Sequence, residues 1–250
     1  MTREYDLKGF DRVRIRGAFD IEIKHTEGFA VSVDADFLKP VQVNKNGDTL
    51  DIGLPWYYYF WGFLTAWRRA SVSVSLPELR ELRLSGAAVG TVVDFNTTHD
   101  FLLVLAGASQ LEMGVFECGN ATFRIAGASK IDVKRIKADK LELDIVGASR
   151  FKGDLALTGD ARVKMAGASQ AELHGQANSL NLDVTGAGRA LLSDLPVQGA
   201  RVKLVGASRA VVNVQGRLDA ELTGASDLSW VGNPVMGDIK SVGASQLHRA

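Results

Sequence analysis

The chain has a single cysteine, Cys118, only five prolines and no excess of either charge. A lone thiol cannot close an internal disulfide, so cysteine usage leaves the redox compartment open. The 29 basic and 29 acidic residues cancel. That removes the overall field that would draw a nucleic acid or an anionic membrane, and any such contact needs a local patch. No apolar run approaches the roughly 18 residues that span a bilayer. The opening MTREYDLKGFDRV lacks the apolar stretch of a signal peptide, and the chain as given reads as soluble. The four histidines (His25, His99, His174 and His248) share no metal-ligand spacing. Phosphate-loop, dinucleotide and calcium-nonapeptide motifs are absent, so neither a cofactor nor a nucleic-acid partner is expected.

What the chain does have is glycine in register. Its 26 glycines are about one residue in ten, against roughly 7% on average, and 46% of residues are hydrophobic, ample for a core. Glycines opening Gly-Ala-Ser or a near variant stand at Gly86, Gly107, Gly127, Gly147, Gly167, Gly186, Gly206, Gly224 and Gly243, 18 to 21 residues apart. Two residues before each stands a column running Leu84, Leu105, Ile125, Ile145, Met165, Val184, Leu204 and Leu222, ending in Ser241. Positions four before and four after the glycine are apolar in nearly every unit. Period-2 alternation on both sides of a glycine means strand, corner, strand, and the glycine supplies a bend that needs positive φ. One unit cannot bury its own apolar face, whereas a stack makes a continuous core. The fold class expected is therefore all-β, a right-handed parallel β-helix of about 20-residue coils. The left-handed hexapeptide helix would need apolar marks every six residues in coils near 18, and the spacing here does not fit it.

The serine that follows Gly-Ala in most coils should form a hydroxyl ladder. Seven equivalent serines (Ser109, Ser129, Ser149, Ser169, Ser208, Ser226 and Ser245) with no matching histidine column read as scaffold rather than as nucleophiles. Three before each glycine, the outward position reads Arg124, Asp144, Lys164, Asp183, Lys203, Glu221 and Lys240, with signs alternating throughout. Skipping one coil would set Arg124 beside Lys164 and Asp144 beside Asp183, so the column opposes misregistered stacking. A cation on either side of a carboxylate also disfavours general-acid chemistry. No catalytic residue is expected.

Three after the glycine the alternation breaks. Here Lys130, Arg150, Arg189 and Arg209 form a candidate basic stripe for an anionic glycan or a membrane surface. Adjacent like charges cost stability unless offset, and Asp132 and Glu172 are the acids placed to offset them.

The first third is less regular. Val13, Ile15, Gly17, Ala18, Ile21 and Ile23 fit the same template, so the solenoid should begin there. The marks then degrade until Gly86, with Gly47-Asp48 as a turn. Within this stretch lie Trp56, Tyr57, Tyr58, Tyr59, Phe60, Trp61, Phe63 and Trp67, followed by Arg68 and Arg69. Such a cluster can cover a solenoid end, join a protein partner or a second copy, or enter a membrane interface. The organisation expected is one β-solenoid over 1–250. Its irregular first coils cover 10–80 with the aromatic excursion at 55–69, and regular coils cover 81–250.

The opening FDRVRIRGAFDIEI, the middle VSVSLPELRELRLSGA and the repeated LxLxGAS coils together resemble the bacterial putative autotransporter adhesin family with a head GIN domain, from about Phe10 to Gln246. The resemblance implies a right-handed β-helix, an extracytoplasmic location and an adhesive role, with no catalytic residues to carry over. The chain departs from that pattern in having no leader and in placing the aromatic excursion where the family has a variable linker. The expected function is a non-catalytic adhesin-like binding module, with a glycan or envelope component as partner. Two alternatives are an intracellular scaffold that stacks through its ends, as bactofilin-type β-helices do, and a polysaccharide-active enzyme.

Overall fold

The structure is a computed structural model that describes residues 2–35, 41–54 and 70–250. Every described element is a β-strand, and the regular coils stack as a parallel β-solenoid. Strand Asn120–Gly127 pairs with Lys140–Gly147 residue for residue, Gly127 opposite Gly147, and the same register recurs from Gly86 to Gly243. A coil has three short faces. In the coil of Gly127 the first runs from Asn120 to the glycine. The second carries Ile131 and Val133 inward, and the exposed pair Lys134-Arg135 marks the next bend. The third buries Ile136 and Ala138.

All ten glycines of the corner column, Gly17 to Gly243, have positive φ, as at Gly147 (φ 105°). The bend also brings each glycine onto the backbone of the coil before it. An added Cβ at Gly147 would overlap the Gly127 carbonyl oxygen. Glycine is thus required twice over, by conformation and by space.

The serine column lies inside the corner. Ser109, Ser129, Ser149, Ser169, Ser208 and Ser226 are buried, and the ladder runs from hydroxyl to backbone rather than from hydroxyl to hydroxyl. Ser149 Oγ donates to the Gly127 carbonyl (3.1 Å) and accepts from the Ser129 N–H (3.1 Å). Ala148 N–H donates to the same carbonyl at 2.8 Å. The Ser149 hydroxyl therefore satisfies the Ser129 N–H, which the turn would leave unpaired, and gives the Gly127 carbonyl a second donor. Ser149→Ala is expected to cost about 1–3 kcal/mol, because it orphans a buried donor. Urea denaturation of the two proteins measures it, and an unchanged midpoint would remove the role assigned to the hydroxyl.

The first third is a stack of coils that is out of chain order. Strands β1 (Thr2–Tyr5), β2 (Arg12–Gly17), β3 (Phe19–His25), β4 (Ala30–Asp34), β5 (Gln42–Asn46), β6 (Thr49–Gly53), β7 (Ala70–Leu76), β8 (Glu81–Gly86) and β9 (Val89–Val92) build it. As expected, β2 and β3 have the solenoid register, Gly17 standing opposite Gly86. They do not form the end coil, however. β6 and β7 return to stack on their far side, Leu50 and Ile52 beside Val13 and Ile15, Val72 and Val74 beside Ile21 and Ile23. The pattern degrades between Gly17 and Gly86 because the two strands of this outer coil, β6 and β7, lie far apart in the chain instead of flanking one Gly-Ala-Ser. Antiparallel strands finish this end. β5 folds onto β6 through the turn at Gly47 (φ 58°), while β4 and then β1 add to β7. Their outer residues, such as Thr2, Glu4, Gln42, Asn44 and Asn46, are exposed and polar, which suits an edge that must not pair further. The aromatic residues Trp56, Tyr57, Tyr58, Tyr59, Phe60, Trp61, Phe63 and Trp67 lie outside the described residues.

Candidate functional site: a cationic row on the second face

Strands that follow the corner point positions three and five after the glycine outward. Stacking in register turns each position into a row. Lys130 stands opposite Arg150, Arg150 opposite Gln170, Gln170 opposite Arg189 and Arg189 opposite Arg209. Four intervals of about 4.8 Å thus bring all four cations predicted from the sequence, each of them exposed, onto one line roughly 19 Å long.

The neighbouring row explains why the line stays positive. Asp132, Lys152 and Glu172 stand opposite one another in that order, so Lys152 lies between the two acids expected to offset the row. Lys152 reaches Glu172 at 2.8 Å, and His174 lies 3.1 Å from the same carboxylate. The Lys152 ammonium, through hydrogen bond and charge, and His174 after it hold Glu172 below the usual carboxylate range, while Glu172 raises Lys152. The acids thus engage their own row. Among the described residues Lys130, Arg150 and Arg189 make no ion pair, and Arg209 pairs with Asp227 at 3.2 Å. In the coils of Arg189 and Arg209 the neighbouring row becomes aliphatic, with Leu191 opposite Val211, both half-buried.

Towards the antiparallel end the same two rows run over β9, β3, β7 and β4 and change sign. Asp20, Glu22, Asp34 and Glu112, with hydroxyls from Ser32, Ser71, Ser73 and Thr91, line a shallow depression of about 590 Å³. Sequence reasoning did not find it. Its residues come from segments whose order in space differs from their order in the chain.

The alternating column on the first face is in the predicted register throughout, and Lys203 contacts Glu221 at 3.2 Å. The histidines are dispersed. His174 bridges Glu172 and Asp194, His99 meets Glu78, His248 lies 3.4 Å from Asp227, and His25 packs edge-on to Phe95. No cluster of three metal-ligating side chains occurs among the described residues. Cys118 is buried, and desolvation lifts its thiol to about 12, which keeps it out of nucleophilic chemistry.

A family model described as "Putative auto-transporter adhesin, head GIN domain" matches the sequence twice, over residues 9–134 and 121–234. The chain belongs to this family. The double match fits a repeat structure, and the head GIN model covers almost all the coils. No curated protein matches the chain. Solved structures similar to it include a "putative lipid binding protein" from Parabacteroides distasonis ATCC 8503, with 18% identity and a TM-score of 0.74, covering 100% of this chain and 96% of that one. A "putative adhesin" from the same organism (16% identity, TM-score 0.67, 100% and 96% covered) and one from Parabacteroides merdae ATCC 43184 (16%, 0.67, 100% and 95%) follow. At these identities the likeness concerns the fold alone, the β-solenoid that this head GIN member shares with them.

Proposed function

We propose that this chain is a non-catalytic binding module of the cell surface or envelope, whose cationic row holds an anionic glycan. The observation that carries the reading is the line of Lys130, Arg150 and Arg189, exposed, in register and without ion pairs among the described residues. Like charges stacked on adjacent strands are destabilising, and a polyanion lying along the row would relieve that repulsion. Guanidinium groups suit the purpose, since their planar forks match carboxylates and sulfates in bidentate geometry. An adhesin-type family description supports a binding role. The aromatic segment between Leu54 and Ala70 is read from its composition as a second contact for a partner or a membrane interface.

The test is binding of the chain to an immobilised polyuronate, with neutral dextran as control. Replacing Lys130, Arg150, Arg189 and Arg209 together by alanine should weaken binding by more than roughly tenfold, since charge-assisted contacts are the strong ones. Added salt should weaken the parent in the same direction. All four side chains are exposed, so the variant should keep the far-UV circular dichroism of the folded parent. Unchanged polyuronate binding in the variant would remove the reading. A second ligand class is favoured by Leu191 and Val211, which set an aliphatic strip beside Arg189 and Arg209, and by the lipid-binding description of the similar Parabacteroides structure. Flotation with anionic vesicles that is lost in the same variant would assign the row to lipid headgroups.

A further inference from the structure

The two ends of the solenoid differ in kind. One is finished by the antiparallel, polar strands β5, β4 and β1. At the other, strand Val235–Gly243 pairs among the described residues on one side only, with the coil of Gly224, and bulges between Met236 and Ile239. Five of the seven exposed large hydrophobics among the described residues, Val231, Val235, Met236, Ile239 and Val242, crowd into this last part. A free strand edge beside an apolar patch is a pairing surface.

We propose that a second copy of this chain covers that edge, the two Val235–Gly243 strands pairing antiparallel about a two-fold axis at Ile239. The charges select this register. With Ile239 opposite its own mate, Asp238 of each copy stands opposite Lys240 of the other, twice over by symmetry. Centring the axis one residue later would face Lys240 with Lys240. Asp238 has its side chain 89% exposed and is held at 3.3 Å by Arg217, while Lys240, opposite Glu221 in its own sheet, is exposed. Ile239 continues the inward column of Val202 and Ala220, so its burial would prolong the core across the axis. A two-fold contact uses one surface twice and closes, and the polar opposite end offers it no substitute. This inference is independent of the ligand assigned to the cationic row.

Sedimentation velocity of the chain over a wide concentration range tests it. A monomer–dimer equilibrium is expected. Ile239→Lys should abolish the dimer while the far-UV circular dichroism stays that of the parent. Asp238→Lys, a change at an exposed side chain, should weaken association by roughly tenfold, since it sets like charges opposite each other at two places. Adding Lys240→Asp should restore it. A parent that stays monomeric, a mass that grows without limit, or a dimer indifferent to Ile239→Lys would each overturn the proposal.

Discussion

Gly147→Ala should lower the stability of the solenoid by roughly 2–5 kcal/mol, adding a strained backbone to an overpacked contact. The position combines two demands. Its φ of 105° lies where L side chains rarely go, and its α-carbon faces the Gly127 carbonyl so closely that a Cβ has no room. Two other glycines separate these demands. Gly47 has positive φ (58°) but open space around the position of a Cβ, so Gly47→Ala should cost only about 1–2 kcal/mol. Gly28 has neither constraint, and Gly28→Ala should stay within about 0.5 kcal/mol of the parent. Urea denaturation of the three variants should rank them in that order. Equal losses at Gly147 and Gly47 would mean that coil-to-coil contact at the corner contributes nothing.

Phe123→Ala should cost about 3–5 kcal/mol, the usual range for deleting a buried ring. Phe123 is fully buried and joins a run of rings through the interior of the stack. It meets Phe101 at 6.0 Å and Phe151 at 5.5 Å, both edge-to-face, and Phe101 packs at 4.0 Å on Phe116, which stacks on Phe95. Edge-to-face pairs add about 0.5–1.5 kcal/mol beyond the area they bury. A solenoid coil can relax only against its two neighbours, so the cavity should persist instead of closing. Phe123→Leu, which keeps most of the volume, should cost under about 1.5 kcal/mol. Denaturant midpoints compare the two, and equal effects would show that the volume kept by leucine contributes nothing there.

The corner column shows how much could be read directly. The corner glycine of Gly147 and the apolar positions of Ile145 and Phe151 recur at fixed offsets in nearly every regular coil, and each coil meets only its neighbours. Local period and spatial register are then the same information. The serines show the limit of that logic. A small residue at a bend is compatible with either side of the wall, and only the backbone path decided that Ser149 points inward to the Gly127 carbonyl. The candidate site divides in the same way. The line of Lys130, Arg150, Arg189 and Arg209 follows from register alone. That Asp132 and Glu172 would face Lys152 and leave Lys130, Arg150 and Arg189 without an ion pair among the described residues depends on the directions taken by side chains on one surface.

By itself, then, the sequence determined the coil length, the glycine corner, the inward columns and the placing of four cations on one outer row. All are repeated many times, and a periodic chain can satisfy its core in only one register. Tertiary structure decided what happens once. The return of β6 and β7 outside β2 and β3 and the antiparallel finish of that end depend on contacts between distant, unrepeated segments. Such contacts leave no period for a sequence to display.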